Sequence, residues 1–169
     1  MNDVSFQLRD RLRLERDALI ARFEGGGPVE ALLKGLSRST DALLRELART
    51  TGLERHVALV AVGGYGRGDL CPYSDIDVIL IHDDRDDYAE AAEALWYPVW
   101  DRGIKMGYAV VTEAQARTLA VAELNWPTAF LSARHVAGDQ AEVARFQALT
   151  AEVWSANGEE LLGRLADSV

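Results

Sequence analysis

The sequence predicts a mixed α/β domain of the α+β class, in which helices flank a small mixed sheet. Two apolar runs of strand length, 57–62 and 76–81, enclose a loop that contains four glycines. A third such run covers 104–112, and segments with helical periodicity lie before, between and after the runs. A length of 169 residues, with 49% hydrophobic and 27% charged residues, suits one globular domain with a sizeable core.

Two helices are predicted before the first strand. Apolar residues recur at helical spacing from Ser5 to Phe23 and from Val29 to about Thr51, and glycines follow both segments. We therefore divide the chain into an N-terminal helical segment, 1–52, that packs on the core, and a main domain, 53–169. Nothing in these helices indicates chemistry, so we expect packing elements or a docking face.

The first two strands differ from the third in how much of each is apolar. Val57–Val62 is β-branched and apolar, as expected for a central strand, and Ile76–Ile81 is apolar at nearly every position. Ile104–Thr112 (IKMGYAVVT) is the third predicted strand. Both faces of the first two strands should therefore be covered by other elements.

The other segments after the second strand are predicted to be mostly helical. Asp83–Asp87 is interpreted as a solvated turn, and Tyr88–Asp101 as a helix that Pro98 kinks or shortens. A break is expected at Gly138-Asp139. The remaining predicted helices are Glu113–Ala122, Trp126–Ala133, Glu142–Trp154 and Glu159–Ala166.

Charge argues against a nucleic-acid partner. The formal net charge is −9 and the pI is about 4.8, and no cluster of Lys and Arg is visible. A surface for long nucleic acid normally needs such a cluster. A free nucleotide that binds together with a metal ion remains compatible with this charge.

Cysteine and histidine usage excludes two other kinds of site. Cys71 is the only cysteine, so no intrachain disulfide can form, and a reducing cytoplasm fits. The three histidines, His56, His82 and His135, lack the spacing of zinc ligands. The N-terminus has no apolar run of signal-peptide length, and no run approaches transmembrane length. We therefore expect a cytoplasmic protein without a membrane partner.

The glycine loop does not match two common phosphate-binding motifs. Gly63 and Gly68 have the first spacing of a Walker A loop, but Asp69-Leu70 follows where Lys and Ser or Thr are required. A dinucleotide-binding fingerprint needs a third glycine three residues after Gly66, and that position is Asp69. Both motifs are therefore excluded by a residue that they need.

A different pattern does fit the loop. Gly63-Gly64 follows a strand, and Asp75-x-Asp77 opens the next strand after ten intervening residues. The two aspartates should project from one face, where they can hold Mg²⁺, while glycines let loop amides reach phosphates. Arg67 either binds a phosphate or pairs with Asp69. The simpler alternative is a glycine turn with incidental acids.

The stretch GGYGRGDLCPYSDID resembles the nucleotidyltransferase domain of the bifunctional uridylyltransferase/uridylyl-removing enzymes, which modify the PII nitrogen-signalling protein. That family belongs to the polymerase-β-like nucleotidyltransferase superfamily, and its fold is the one that the resemblance implies. Asp69 stands where the family usually has Glu. Two more stretches, 95–107 and 133–139, are similar to the family, so the resemblance covers about 57–139.

The resemblance implies a reaction and a set of site residues. The family transfers UMP, or in some lineages AMP, from UTP or ATP to a tyrosine hydroxyl of a PII-type protein and releases pyrophosphate. Asp75 and Asp77 are implied as the catalytic ligands of Mg²⁺ or Mn²⁺. The expected nucleotide-binding residues are Gly63, Gly64 and Ser74 from the resemblance, with Gly66 and Arg67 from the loop itself.

The chain also departs from the family. Tyr108 and Val111 replace a His and an Arg, and the third predicted strand has no third carboxylate, for which Glu123 is the substitute candidate. The alternatives to an enzyme are thus a catalytically degenerate nucleotide-binding module and a helical interaction domain. The residues after Asp139 are too few for the family's phosphohydrolase and ligand-sensing domains, so we expect an excised domain or a stand-alone relative.

Overall fold

The computed structural model describes residues 3–52, 57–83, 92, 93, 95–97, 99 and 105–167. Within these residues the chain forms helices around a four-stranded sheet. In chain order the elements are α1 Asp3–Glu24, α2 Val29–Thr51, β1 Val57–Ala61, α3 Gly63–Gly66, β2 Ile76–His82, β3 Met106–Thr112, α4 Glu113–Ala122, α5 Asn125–Phe130, β4 Arg134–Gly138 and α6 Gln140–Asp167.

The sheet is mixed, in the order β3-β2-β1-β4. β1 runs antiparallel to both β2 and β4, while β2 and β3 are parallel. β1 and β2 are therefore the two central strands, and the glycine loop that connects them lies at one end of the sheet. The predicted fold class, a small mixed sheet flanked by helices, is confirmed.

Each face of the sheet carries its own hydrophobic core. Leu59 and Val78 face the cluster formed with α2, whereas Val60 and Ile79 face the cluster formed with α4, α5 and α6. Side chains on a strand alternate between faces, so a strand covered on both sides must be apolar throughout. This explains the uninterrupted apolar runs at β1 and β2, which are buried at almost every position.

Helix α2 lies directly on one face of the sheet, and α1 packs on α2. The buried residues of α2 recur at helical spacing, which gives it one apolar face. Gly52 ends the helix in the left-handed conformation, with φ +74°, and its amide donates to the carbonyl of Ala48. The partly buried residues of α1 that complete this cluster are Leu12, Leu19 and Ile20.

The C-terminal third differs from the prediction in two ways. Arg134–Gly138 is a strand that the sequence analysis missed, because only Val136 and Ala137 of its five residues are buried and no alternation shows. The two helices expected after Gly138 form one helix, α6. Val153 and Leu161, eight residues apart and both buried in the same cluster, hold α6 together across Gly158.

Part of the helix expected at Tyr88–Asp101 is described: residues 92, 93, 95–97 and 99 are helical. The predicted kink at Pro98 and all of the Asp83–Asp87 turn except Asp83 lie outside the described residues. Among the residues that the structure describes, no helix is long and apolar enough to cross a membrane.

Candidate active site

The predicted glycine loop is a single short helical turn, α3, followed by a tight turn. Gly63 and Gly68 adopt φ values of +62° and +77°, which only glycine adopts without strain. The loop is therefore compact and starts directly at the end of β1. Its internal backbone hydrogen bonds run from Gly66 N to Val62 O at 2.8 Å, Arg67 N to Gly63 O at 3.2 Å, Gly68 N to Tyr65 O at 3.0 Å and Asp69 N to Gly64 O at 2.9 Å.

Asp77 is the second residue of β2, and its carboxylate lies between two glycines. In the parallel register Asp77 stands opposite Gly107 of β3. A Cβ added to Gly107 would lie 2.5 Å from Asp77 Oδ1, and one added to Gly63 would lie 3.4 Å from Oδ2. A side chain at 107 would displace the carboxylate. The approach of Asp77 to β3 therefore requires glycine at that position.

Asp75 precedes β2 by one residue and is exposed, two positions before Asp77. Partial burial raises the pKa of the Asp77 carboxyl, and the charge of Asp75 raises it further. The two carboxylates therefore repel each other in an environment that solvates Asp77 poorly. A bound cation would relieve both effects.

The donor set suits a hard divalent cation such as Mg²⁺. Mg²⁺ prefers oxygen ligands and is usually held by one or two carboxylates together with substrate phosphates, as Asp75 and Asp77 would provide. Among the described residues no group of three His, Cys, Asp or Glu side chains could hold a metal ion. Glu123 therefore does not form such a group with Asp75 and Asp77 in the arrangement described, and its role as a third carboxylate stays a prediction.

Two backbone amides of the loop remain available for a ligand. Gly64 N and Tyr65 N, in the first turn of α3, have no hydrogen-bond partner among the described residues. The neighbouring amide of Gly63 donates instead to Ser132 Oγ at 2.7 Å. The free pair lies beside the position where Gly63 approaches Asp77, so amide donors and a carboxylate are brought together.

The other predicted nucleotide-binding residues occupy different settings. Gly66 is buried, and a Cβ on it would lie 2.2 Å from the carbonyl oxygen of Ser132. Its glycine is thus explained by packing alone. Arg67 is 61% exposed, and its Nε lies 4.0 Å from Asp69 Oδ2. That pair is too loose to fix the guanidinium, which can reach solvent. Ser74 is exposed, and its amide donates to Cys71 O at 3.2 Å.

Tyr108 and Val111, the two residues of β3 that depart from the family, lie on opposite faces of the sheet. Tyr108 follows Gly107 and points to the opposite face, where its ring packs 5.4 Å from that of Trp96. Val111 is on the same face as Asp77 but is 4% exposed, inside the cluster with α4 and α6. An arginine at 111 would therefore need rearrangement of that cluster to reach a ligand.

Sequence reasoning missed several residues that shape the site. Gly107 had a usable signal, because an isolated glycine within a strand often marks a close approach. Ser132 and Arg134 had none, since they come from the segment after α5, about 70 residues along the chain from the loop that they contact. Ser37 and Asp41 lie on α2, where the sequence indicated only a packing role, yet both form hydrogen bonds with the loop segment.

A family model for the nucleotidyltransferase domain matches residues 42–124. That range contains β1, the glycine loop, Asp75 and Asp77. The chain contains a nucleotidyltransferase domain. Its mixed sheet flanked by helices is consistent with the polymerase-β-like nucleotidyltransferase fold.

The domain is homologous to bifunctional uridylyltransferase/uridylyl-removing enzymes. It is 43% identical to the enzyme of Streptomyces coelicolor over 137 residues, which cover 79% of this chain and 16% of that protein. It is 36% identical to the enzyme of Burkholderia orbicola over 140 residues, and 38% identical to that of Burkholderia pseudomallei over 130 residues. These matches cover 82% and 76% of this chain. The chain thus spans 15–16% of the length of these relatives.

Proposed function

We propose that this domain transfers a nucleoside monophosphate from a nucleoside triphosphate to a protein hydroxyl, with Mg²⁺ as cofactor. One observation carries the proposal: the Asp77 carboxylate lies against Gly63 and Gly107, next to the unpaired amides of Gly64 and Tyr65. Nucleotidyl transfer depends mainly on positioning and charge neutralisation. A metal-bound triphosphate needs oxygen ligands for the metal and hydrogen-bond donors for its phosphates. The carboxylates and the neighbouring amides would supply these.

The residues have separate roles in this proposal. Asp75 and Asp77 hold Mg²⁺, or Mn²⁺, which neutralises charge on the phosphates when it is bound. Gly64 and Tyr65 donate amide hydrogens to phosphate oxygens, and Arg67, which is largely exposed, adds a planar fork. The glycine at 107 keeps Asp77 in place. Ser74 lies on the segment that leads into Asp75.

The relatives' name supports UTP as the nucleotide, and we propose UMP as the transferred group, with AMP from ATP as the alternative. The proposed acceptor is a tyrosine hydroxyl of a PII-type signalling protein, which would place the domain in cytoplasmic nitrogen regulation. The hydroxyl oxygen bonds to the α-phosphorus as the bond to pyrophosphate breaks, and the hydroxyl proton leaves to solvent.

The test is transfer of label from α-labelled UTP to a purified PII-type protein in the presence of Mg²⁺. Asp77→Asn should lower the rate by roughly 100-fold or more, as expected when a group that stabilises transition-state charge is removed. Asp17→Asn, at an exposed position of α1, is the matched control and should leave the rate unchanged. Unchanged transfer by the double variant Asp75→Asn with Asp77→Asn would sink the proposal.

Thermal unfolding gives a second readout of the same variants. Asp77→Asn removes a partly buried charge that Asp75 repels, so without metal its Tm should equal or exceed that of the unsubstituted chain. Mg²⁺ with UTP should raise the Tm of the unsubstituted chain, because a ligand that binds only the folded state stabilises it. The variant should lose most of this rise.

A catalytically degenerate nucleotide-binding module is the second candidate. The position of Val111 favours it: where the family that the sequence resembles has an arginine, this side chain is 4% exposed inside an apolar cluster, so no charged group reaches a ligand from there. This candidate predicts that Mg²⁺-UTP binds and raises the Tm while no pyrophosphate is released. Release of pyrophosphate together with labelling of the PII-type protein would exclude it.

A further inference from the structure

Asp41 of α2 is a buried carboxylate that contacts the glycine loop from the helical segment. It is 6% exposed, and Tyr65 of the loop donates its hydroxyl hydrogen to Asp41 Oδ1 at 2.6 Å. Arg134 of β4 donates to both oxygens, at 2.8 and 3.0 Å, and Arg45 donates to Oδ2 at 3.1 Å. One carboxylate thus joins α2, the loop and β4.

Arg134 also binds the backbone of the loop directly. Its Nε donates to Gly66 O at 3.1 Å, and Nη2 donates to Tyr65 O at 3.2 Å. Its guanidinium lies 5.3 Å from the centre of the Tyr65 ring. A planar guanidinium has several donors in a fixed fork, so its orientation on Asp41 sets the position of both loop carbonyls.

Two serine hydroxyl groups accept hydrogen bonds from the two ends of the loop segment 63–70. At its first residue the Gly63 amide donates to Ser132 Oγ at 2.7 Å, and at its last the Leu70 amide donates to Ser37 Oγ at 3.2 Å. Ser37 is buried on α2, one turn before Asp41. Side chains from α2 and from the segment 132–134 therefore fix the loop at its start, middle and end.

Burial and the neighbouring charges favour the neutral form of Tyr65 and the charged form of Arg134. Burial raises the pKa of the Tyr65 hydroxyl, and the neighbouring Asp41 raises it further, so Tyr65 remains a donor. Burial is the largest single influence on the pKa of Arg134 and lowers it, but the hydrogen bonds and electrostatic attraction to Asp41 and Tyr65 together raise that pKa by more, so the net shift is upward. Buried ion pairs add little net stability compared with apolar packing. A role in fixing geometry accounts better for their presence here.

We propose that Asp41 and Arg134 are positioning residues for nucleotidyl transfer: they hold the loop so that the amides of Gly64 and Tyr65 face the nucleotide beside Asp77. This inference rests on the proposed function for its kinetic consequence. It also assigns the helical segment, 1–52, a part in the reaction, because α2 supplies Asp41 and Ser37. Neither residue touches the nucleotide in this proposal.

The test compares two arginines that bind the same carboxylate. Arg134→Gln removes the donors to Gly66 O and Tyr65 O, whereas Arg45→Gln removes a donor to Asp41 and one to Val136 O, outside the loop. Arg134→Gln should raise the KM for UTP about tenfold or more, the effect of losing one or two hydrogen bonds. Arg45→Gln should change the KM by less than about twofold. Equal KM changes in the two variants would overturn the proposal.

A second measurement does not depend on catalysis. Amide hydrogen exchange of a peptide covering 63–70 should be faster in Arg134→Gln than in the unsubstituted chain, and unchanged in Arg45→Gln. Asp41→Asn, which keeps the shape but loses the charge, should also accelerate it. Unchanged exchange in Arg134→Gln overturns the positioning role. Absence of label transfer by the unsubstituted chain counts instead against the proposed function, and the exchange data still decide the positioning role.

Discussion

Gly66 and Gly107 at the candidate site and Gly158 and Gly163 of α6 are the same residue type under opposite constraints. A Cβ on Gly66 would lie 2.2 Å from a backbone oxygen, and one on Gly107 would lie 2.5 Å from Asp77 Oδ1. A Cβ on Gly158 or Gly163 of α6 would meet nothing within 4 Å. At Gly66 and Gly107 the missing side chain makes room for a neighbouring atom, whereas at Gly158 and Gly163 no neighbour requires glycine.

This difference between the two pairs of glycines shows where the chain requires a neighbouring atom to approach the backbone closely. Glycine inside a helix costs stability relative to alanine, and α6 accepts that cost twice without a contact that requires it. Near the loop, the close approaches at Gly107 and Gly66 involve the carboxylate of Asp77 and the carbonyl oxygen of Ser132. Substituting alanine at each position separates the two kinds of glycine.

The largest effect is expected for Gly66→Ala. The added Cβ would meet Ser132 O at 2.2 Å and Ala61 O at 2.9 Å, both backbone atoms that cannot rotate away. We expect a loss of about 3 kcal/mol or more in the free energy of unfolding, the upper range for overpacking. Urea denaturation measures it. A loss below about 1 kcal/mol would show that the segment at Ser132 is softer than described.

Gly107→Ala should separate activity from stability. Its Cβ would meet a side-chain oxygen, Asp77 Oδ1, which can move away, so the free energy of unfolding should change by less than about 1 kcal/mol. The displaced carboxylate should lower label transfer by about 100-fold, the scale of a misplacement of about 1 Å. Full activity in this variant would remove Asp77 from the proposed chemistry.

The smallest effect is expected for Gly158→Ala and Gly163→Ala, which serve as matched controls for Gly107→Ala. Each should raise the free energy of unfolding by about 0.5–1 kcal/mol, because alanine restricts the unfolded chain and favours the helix. Label transfer should not change. Destabilisation by either variant would reveal a contact of α6 that the described residues do not show.

The sequence predicts those features of the structure that depend on a local pattern of residues. The apolar runs of β1 and β2 predicted two central strands, and the fold class followed from them. The placement of Asp75 and Asp77 beside the glycine loop is as expected, while their metal-binding role stays a prediction. Gly66 shows the limit of a motif: the sequence assigned it to the nucleotide, but packing against Ser132 already explains it.

The features that the sequence did not predict depend on contacts between distant segments. β4 has only two buried residues, so no periodicity marks it, and its role depends on pairing with β1. The break expected in α6 failed because burial of Val153 and Leu161 outweighs the weak propensity of glycine. In the sequence Asp41 is an ordinary polar residue of a helix, because no local pattern indicates its ion pair with Arg134 of β4.

The bond between Arg134 and Asp41 joins residues that are 93 positions apart, and Ser132 meets Gly63 across 69. Such long closures are costly in chain entropy and form late in folding. During synthesis the aspartates and glycines would emerge well before the segment that fixes them. The matched family range, 42–124, likewise contains Asp75, Asp77 and the loop glycines but excludes Ser37, Asp41, Ser132 and Arg134. The stretch of chain that must fold to fix the loop, from Ser37 to Arg134, is therefore longer than the range that the family model matches.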